Sequence, residues 1–89
     1  MPGFVLLVRP RDDADETMRI GYTVTKKIGN AVVRNRMKRR FRAMARDLLP
    51  ALGISGADHV LIGRAGGVER EFATLTAELR RALAKLSPA

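Results

Sequence analysis

The sequence predicts an α+β fold, a small α/β sandwich with the element order β-β-α-β-α. Two strand-like stretches precede Gly29, a stripe of apolar residues at helical spacing runs from Val33 to Leu48, and a further strand pattern and helix pattern follow. Because the long helix separates the second strand from the third, a strand-helix-strand crossover must join them. The 89 residues suffice for one domain, and we take 1–89 as a single binding domain.

The first two predicted elements are strands. Phe4 to Val8 is a run of five apolar residues closed by Pro10, which is typical of a buried strand. A polar turn follows from Arg11 to Thr17. From Met18 to Thr25 apolar and polar residues alternate, which gives the second strand one apolar face. We expect the two strands to pair as a hairpin.

The longest helix is predicted from Asn30 to Leu49. The side chain of Asn30 is suited to accept hydrogen bonds from the first-turn amides, and Pro50 with Gly53 should end the helix. A narrow apolar stripe predicts the face that meets the core, and it consists of Val33, Met37, Phe41, Met44 and Leu48.

A third strand and a second helix complete the predicted fold. The strand spans Asp58 to Arg64 and is bounded by the turn 65–67. The last helix runs from about Val68 to Leu86. Its predicted apolar side consists of Phe72, Leu75, Leu79, Leu83 and Leu86.

The composition indicates the compartment of the protein, and it excludes a membrane span near the start of the chain. The chain has no cysteine, which removes disulfides and thiolate metal sites and fits a reducing compartment, so we expect a cytoplasmic protein. The longest apolar run near the start has only five residues, which excludes a membrane span or a signal-peptide core there.

The charge distribution favours a polyanionic partner. The net charge is +8, and the acidic residues Asp12, Asp13, Asp15 and Glu16 cluster in one short segment. From Thr17 to Arg46 there is no acidic residue, but there are ten basic ones. One part of the domain must therefore carry a concentrated cationic surface.

The polar side of the long helix carries most of this charge. Arginine outnumbers lysine six to one there, and guanidinium groups bind phosphate oxygens bidentately and stack on bases. Nucleic acid is the favoured partner of this face. The alternatives are an acidic membrane surface as the partner, or a solvated face that binds no ligand. The candidate binding residues are Arg34, Asn35, Arg36, Lys38, Arg39, Arg40, Arg42 and Arg46.

The turn before this helix is a candidate phosphate site. Lys26 and Lys27 precede Gly29 and Asn30 at the predicted helix N-terminus, where free amides and the helix dipole favour an anion. The alternative is a capped turn with two exposed lysines. Beside the cationic helix, the phosphate interpretation is favoured.

These residues resemble a known family. The stretch KKIGNAVVRNRMKRRFR, from Lys26 to Arg42, closely resembles the signature of the bacterial ribonuclease P protein subunit, an Arg-Asn-Arg helix after a strand ending in Ser/Thr-Lys-Lys. The segments Arg19 to Thr25 and Asp58 to Ile62 resemble that family's strands in order and spacing. The resemblance covers most of the chain.

The resemblance implies a protein that binds the catalytic RNA of ribonuclease P and the 5′ leader of precursor tRNA. In that family the RNA cleaves the leader with bound Mg²⁺, and the protein supports the RNA's fold and metal binding. Neither a membrane nor a small-molecule substrate is implied. It also implies that the basic helix residues face the RNA, that Lys26, Lys27 and Asn30 contact phosphates, and that the crossover is left-handed rather than right-handed.

One departure from the family concerns the leader. Family members usually have a further N-terminal helix, which forms one wall of the leader cleft, whereas Met1 here lies almost at the first strand. Aromatic stacking commonly holds single-stranded nucleic acid. Since Phe41 and Phe72 fall at core positions, Tyr22 and Phe4 are the candidate leader contacts, with packing in the sheet as the alternative for Tyr22.

Other polar features predict no site of their own. The acidic cluster lacks the spacing of a calcium loop, His59 has no second histidine or cysteine to share a metal, and the segment 63–67 lacks the phosphate-loop spacing. No nucleophile, base and orienting acid can be assembled, so we expect no protein catalytic residue and no metal held by the protein.

Two other functions use the same charge. One is a DNA-binding protein that places the basic helix in the major groove, although a strand rather than a short helix precedes Asn30. The other is a ribosomal or general RNA-binding protein. The detail of the Lys26 to Arg42 stretch favours the ribonuclease P protein.

Overall fold

The computed structural model describes residues 3–12 and 14–86 and confirms the predicted α+β class and element order. Short 3₁₀ turns at Lys26–Ile28 and Ala65–Gly67 join the main elements. The strands and helices are β1 (Phe4–Pro10), β2 (Arg19–Thr23), α1 (Ala31–Leu52), β3 (Ala57–Gly63) and α2 (Phe72–Leu86).

The three strands form one sheet in the order β1-β3-β2. β1 lies antiparallel to β3, with Phe4 opposite Gly63, and β2 lies parallel to β3, with Arg19 opposite Asp58. The crossover from β2 through α1 to β3 is thus present, but the predicted hairpin of β1 and β2 is wrong. β3 alternates fully buried with half-buried residues along its whole length, so it has the least solvent contact of the three strands and takes the centre.

β1 is an edge strand and is only partly buried, contrary to the sequence prediction. Phe4 is fully buried, whereas Leu7 is 52% exposed. Both helices pack on one face of the sheet through Phe4, Ile20, Tyr22 and Leu61. Leu7 points to the other face because side chains alternate along a strand.

α1 begins as predicted but ends later. The Asn30 side chain accepts a hydrogen bond from the Val33 amide at 3.0 Å, which confirms the N-cap. Pro50 lies inside the helix, contrary to the prediction. A proline there leaves the carbonyl of Arg46 without its helical amide partner, and both residues are exposed, so the cost is lower than at a buried position. Gly53 ends the helix, and its amide donates to the Leu49 carbonyl at 2.8 Å.

The core lies between the two helices and the sheet. Phe4 and Phe41 meet edge to face, with ring centroids 6.0 Å apart. The predicted stripe of α1 is confirmed for its last four members and half-buried at Val33, and the buried residues of this helix are Met37, Phe41, Met44, Ala45, Leu48 and Leu49. α2 adds Leu75, Leu79 and Leu83 to this core.

Three predictions for the last helix are wrong. α2 begins at Phe72 rather than at Val68, and Phe72 and Leu86 are 40% and 47% exposed instead of buried. Glu78 lies within the apolar stretch of α2 but is buried, where its carboxylate accepts from Arg70 at 2.8 Å. This ion pair holds the segment before α2 against the helix.

His59 has the structural role that its isolation in the sequence predicts. The side chain is fully buried in β3. Its Nε2 accepts from the Ile54 amide at 3.1 Å, so Nδ1 carries the proton and donates to the Arg19 carbonyl at 3.2 Å. His59 therefore ties β2 and the turn after α1 to the central strand.

Candidate nucleic-acid interface

The core stripe of α1 fixes which of its side chains face the solvent. Since Met37, Phe41 and Met44 point inward, the basic residues follow the remaining circumference of the helix. The exposed members are Asn35, Arg36, Arg39, Arg42 and Arg46, and the half-buried members are Arg34, Lys38 and Arg40. We call these eight residues the cationic face. The structure thus brings the predicted binding residues of the helix together on one element.

The charge of the cationic face is not neutralised within the domain. In the part of the chain that the structure describes, the ion pairs are Arg11 with Asp58 at 3.0 Å and Arg70 with Glu78 at 2.8 Å, and neither involves α1. Like charges at i and i+4 destabilise a free helix. A polyanion bound to this face would relieve that repulsion.

The predicted phosphate turn lies at the N-terminus of α1. Lys26 and Lys27 are exposed in the 3₁₀ turn that precedes the helix. The first turn of α1 contains no acidic residue, so the positive end of the helix dipole has no carboxylate of the helix beside it. The two exposed lysines thus lie next to the N-terminus of the helix that carries the cationic face, an arrangement that favours a phosphate.

Tyr22 lies in a groove between β2 and the C-terminal half of α1. The groove has a volume of about 360 Å³, and it is lined by Met18, Ile20, Tyr22, Arg42, Ala45, Arg46, Leu49 and Pro50. The Arg42 guanidinium carbon lies 5.9 Å from the centre of the Tyr22 ring, a cation-π arrangement. Burial raises the pKa of the Tyr22 phenol, although Arg42 and Arg46 partly oppose this, so the hydroxyl stays protonated at neutral pH.

The two candidate leader contacts differ in accessibility. Tyr22 is half-buried beside Arg42, and its leader contact stays a prediction. Phe4 is fully buried against Phe41 and has no free ring face. The assignment of Phe4 to the leader is therefore wrong, because the packing of β1 against α1 uses its ring in the core.

Arg40 differs from the rest of the cationic face because its guanidinium is held within the domain. It donates to the carbonyls of Gly67, at 3.5 Å, and of Arg70, and it lies 6.0 Å from the centre of the Phe72 ring. Burial lowers the pKa of Arg40, and the nearby Arg36 lowers it further. The sequence pattern could not reveal this, since the partners are backbone carbonyls 27 and 30 residues away.

Arg40→Ala should destabilise the protein, whereas Arg39→Ala should not. Loss of two charge-assisted hydrogen bonds and a partly exposed cation-π contact should lower the free energy of unfolding by about 1 to 3 kcal/mol. Arg39 is exposed, and its replacement should change this free energy by at most about 0.5 kcal/mol. Urea unfolding followed by circular dichroism measures both. Equal stability of the two variants would contradict an anchoring role for Arg40.

The remaining polar features lie apart from the cationic face. Asp15 accepts a hydrogen bond from the Thr17 amide at 2.9 Å. Hydrogen bonds with the side chain and the amide of Thr17 lower the pKa of the Asp15 carboxyl, and the nearby Arg11 and Arg19 lower it further. Asp12 and Glu16 are exposed, and the prediction for Asp13 falls outside the described residues. Within residues 3–12 and 14–86, no group of three or more His, Asp or Glu side chains could hold a metal ion.

The turn between β3 and α2 has a packing role. Gly67 is buried, and a Cβ atom there would collide with the Gly3 carbonyl oxygen, so only glycine fits. The Arg64 amide donates to the same carbonyl at 3.2 Å.

Along the described chain, no helix combines the length and apolarity that crossing a bilayer requires.

Comparison with known proteins places this surface in a family. A family model described as Ribonuclease P matches residues 1–87. A ribonuclease P protein component of Erythrobacter litoralis is 60% identical over 82 residues, which cover 92% of this chain and 66% of the relative. One from Gluconacetobacter diazotrophicus is 54% identical, and the match covers 94% of this chain and 72% of the relative. The chain thus spans about two thirds of the length of these relatives.

Solved structures show the same architecture. The RNase P protein from Thermotoga maritima superposes with a TM-score of 0.83 at 27% identity, over 99% of this chain and 81% of that one. The RNase P protein of Staphylococcus aureus gives a TM-score of 0.80 at 26% identity, over 98% of this chain and 77% of that one. With the family match over nearly the whole sequence, these likenesses establish that the chain belongs to the ribonuclease P protein family.

Proposed function

We propose that this chain acts as the protein component of ribonuclease P. It binds the catalytic RNA of that enzyme and assists the endonucleolytic removal of the 5′ leader from precursor tRNA. The observation that carries this proposal is the cationic face of α1, which lacks ion-pair partners in the described chain and lies in a domain of the ribonuclease P protein family. We place this function in the cytoplasm, which agrees with a chain without cysteine.

The protein contributes binding and positioning, and the RNA contributes the chemistry. The exposed arginines of α1, with Lys26 and Lys27, contact phosphates of the catalytic RNA and offset its charge. Mg²⁺ bound by the RNA supplies the charge stabilisation for phosphodiester hydrolysis. By lowering the repulsion between RNA segments, the cationic face reduces the Mg²⁺ concentration that the active fold requires.

The groove at Tyr22 is the candidate contact for the leader. A single strand needs a surface that combines an aromatic ring with positive charge, and Tyr22 with Arg42 and Arg46 provides both. The proximity of this groove to the cationic face lets one bound RNA complex reach both. Leader and catalytic RNA then meet on adjacent sides of α1.

The proposal is tested by adding the purified protein to ribonuclease P RNA and precursor tRNA at low Mg²⁺. We expect faster leader removal than with the RNA alone, together with tighter binding of precursor than of mature tRNA. The folded state of the protein is checked by circular dichroism. Absence of stimulation by folded protein would contradict the proposed function, and equal affinity for precursor and mature tRNA would remove leader recognition from it.

A further inference from the structure

A small cavity opens at the N-terminal end of the cationic face. It has a volume of about 120 Å³ and is lined mainly by apolar atoms. Five lining residues come from neighbouring turns of α1, and the sixth comes from the segment after β3. They are Val32, Val33, Arg36, Met37, Arg40 and Val68. A pocket with an apolar interior therefore lies within a surface that is otherwise strongly positive.

The wall of this cavity includes an apolar side chain that the protein's own core does not use. Val32 is 73% exposed, whereas Met37, which also lines the cavity, is buried. A β-branched residue gains little from an exposed helix position, because its rotamers are restricted and its carbon atoms stay in water. Covering Val32 with a partner would remove that apolar surface from water.

The far side of the cavity is held in place before any ligand binds. Arg40 is fixed by the carbonyls of Gly67 and Arg70. The Val68 amide donates to the Ala65 carbonyl at 3.2 Å, and Gly67 packs directly on Gly3. The cavity is thus preorganised, which lowers the entropic cost of filling it.

We propose that this cavity receives one unpaired nucleobase of the RNA that the cationic face binds, an inference that rests on the proposed function. The positive charges of Arg36, which is exposed, and of Arg40, which is held by backbone carbonyls, both belong to lining residues, so the cavity disfavours a cation and suits a ligand that carries a phosphate. The volume corresponds to about four water molecules, enough for one planar ring but not for a duplex end.

Within RNA, the bases are the groups that match an apolar cavity. Phosphate and ribose are strongly hydrated, whereas an unstacked base presents an apolar face that proteins cover with apolar side chains or arginine. Arg36 is exposed beside the cavity, so it can hold the phosphate of the same nucleotide. The base then fills the space between Val32 and Val68. This apolar contact raises the affinity for RNA by an amount that does not depend on the salt concentration.

The first test makes the exposed Val32 side chain polar without changing its charge and with little change in its size. Val32→Thr should weaken binding of ribonuclease P RNA about 5- to 10-fold, as loss of one base contact does, and leave the slope of log affinity against log salt unchanged. Leu86→Thr makes an apolar residue on α2 polar, at a position that is 47% exposed, and should leave the affinity unchanged. Equal affinity of Val32→Thr and wild type would overturn the proposal, whereas failure of the wild type to bind RNA would overturn the proposed function instead.

The second test observes the base directly. Methyl resonances of Val32 and Val68 should move upfield, by ring currents, when an octamer of single-stranded RNA is added, and should stay in place with an abasic octamer that carries the same phosphates. Equal shifts with both octamers would show that only the backbone binds near the cavity. Shifts that depend on protein concentration without RNA would assign the cavity to a second copy of this chain. Either result would overturn the proposal.

Discussion

Replacing Arg36 and Arg39 together with alanine should weaken binding to ribonuclease P RNA by about 100-fold at 0.15 M salt. Both residues are exposed on the cationic face and have no ion-pair partner in the described chain. A hydrogen bond to a charged group contributes roughly 1.5 to 3 kcal/mol, so the loss of two at the lower value gives this factor. Equilibrium binding by filter retention or fluorescence anisotropy measures the change.

The salt dependence separates loss of contacts from loss of net charge. Each phosphate contact contributes about 0.7 to 0.9 to the slope of log affinity against log salt, so the double variant should flatten the slope by about 1.4 to 1.8. The control is the Arg80→Ala, Arg81→Ala double variant, which removes the same charge from exposed positions of α2. A slope and affinity that change equally in both variants would contradict specific contacts by Arg36 and Arg39.

Phe41→Ala should destabilise the domain more than any change on the cationic face. The Phe41 side chain is fully buried where α1 meets Phe4 of β1, and truncation of such a ring costs about 3 to 5 kcal/mol. An 89-residue domain has a total stability of about 4 to 13 kcal/mol, so most of it could be lost. Thermal and urea unfolding monitored by circular dichroism measure the effect.

Phe72→Ala is the matched control for this core substitution. Phe72 is also a helical phenylalanine, but it is 40% exposed and contacts the Arg40 guanidinium. Its truncation should cost less than half as much as that of Phe41. Similar losses in the two variants would contradict the assignment of Phe41, rather than Phe72, to the core.

The sequence was sufficient for features that depend on local chemistry. The Asn30 cap needs only a side-chain oxygen at the residue before Ala31, and the stripe from Met37 to Leu48 follows from the helical period. Both could be predicted because neighbours in sequence determine them. The same stripe placed the basic residues of α1 on its solvent side, and so most of the candidate site was predictable as well.

Features that depend on distant parts of the chain were not predictable in this way. β3 lies between β1 and β2 because it pairs with both strands, and these pairings join residues that are far apart in the sequence. The role of Arg40 depends on carbonyls of the turn before α2, and the cavity beside Val32 requires Val68 from that same segment. Pro50 lies inside α1 at an exposed position, four residues after the exposed Arg46, and this exposure depends on how the helix packs in the fold.

The central claim, that the outward side of α1 lies on the RNA, is tested most directly by tethered cleavage. The chain has no cysteine, so an Fe-EDTA reagent can be attached to one introduced residue at a time. Asn35→Cys places it at the centre of the cationic face, and Ala77→Cys places it at an exposed position of α2. Hydroxyl radicals from position 35 should cut ribonuclease P RNA at discrete sites, with little cutting from position 77. Equal cutting from both positions, or stronger cutting from 77, would contradict the claim.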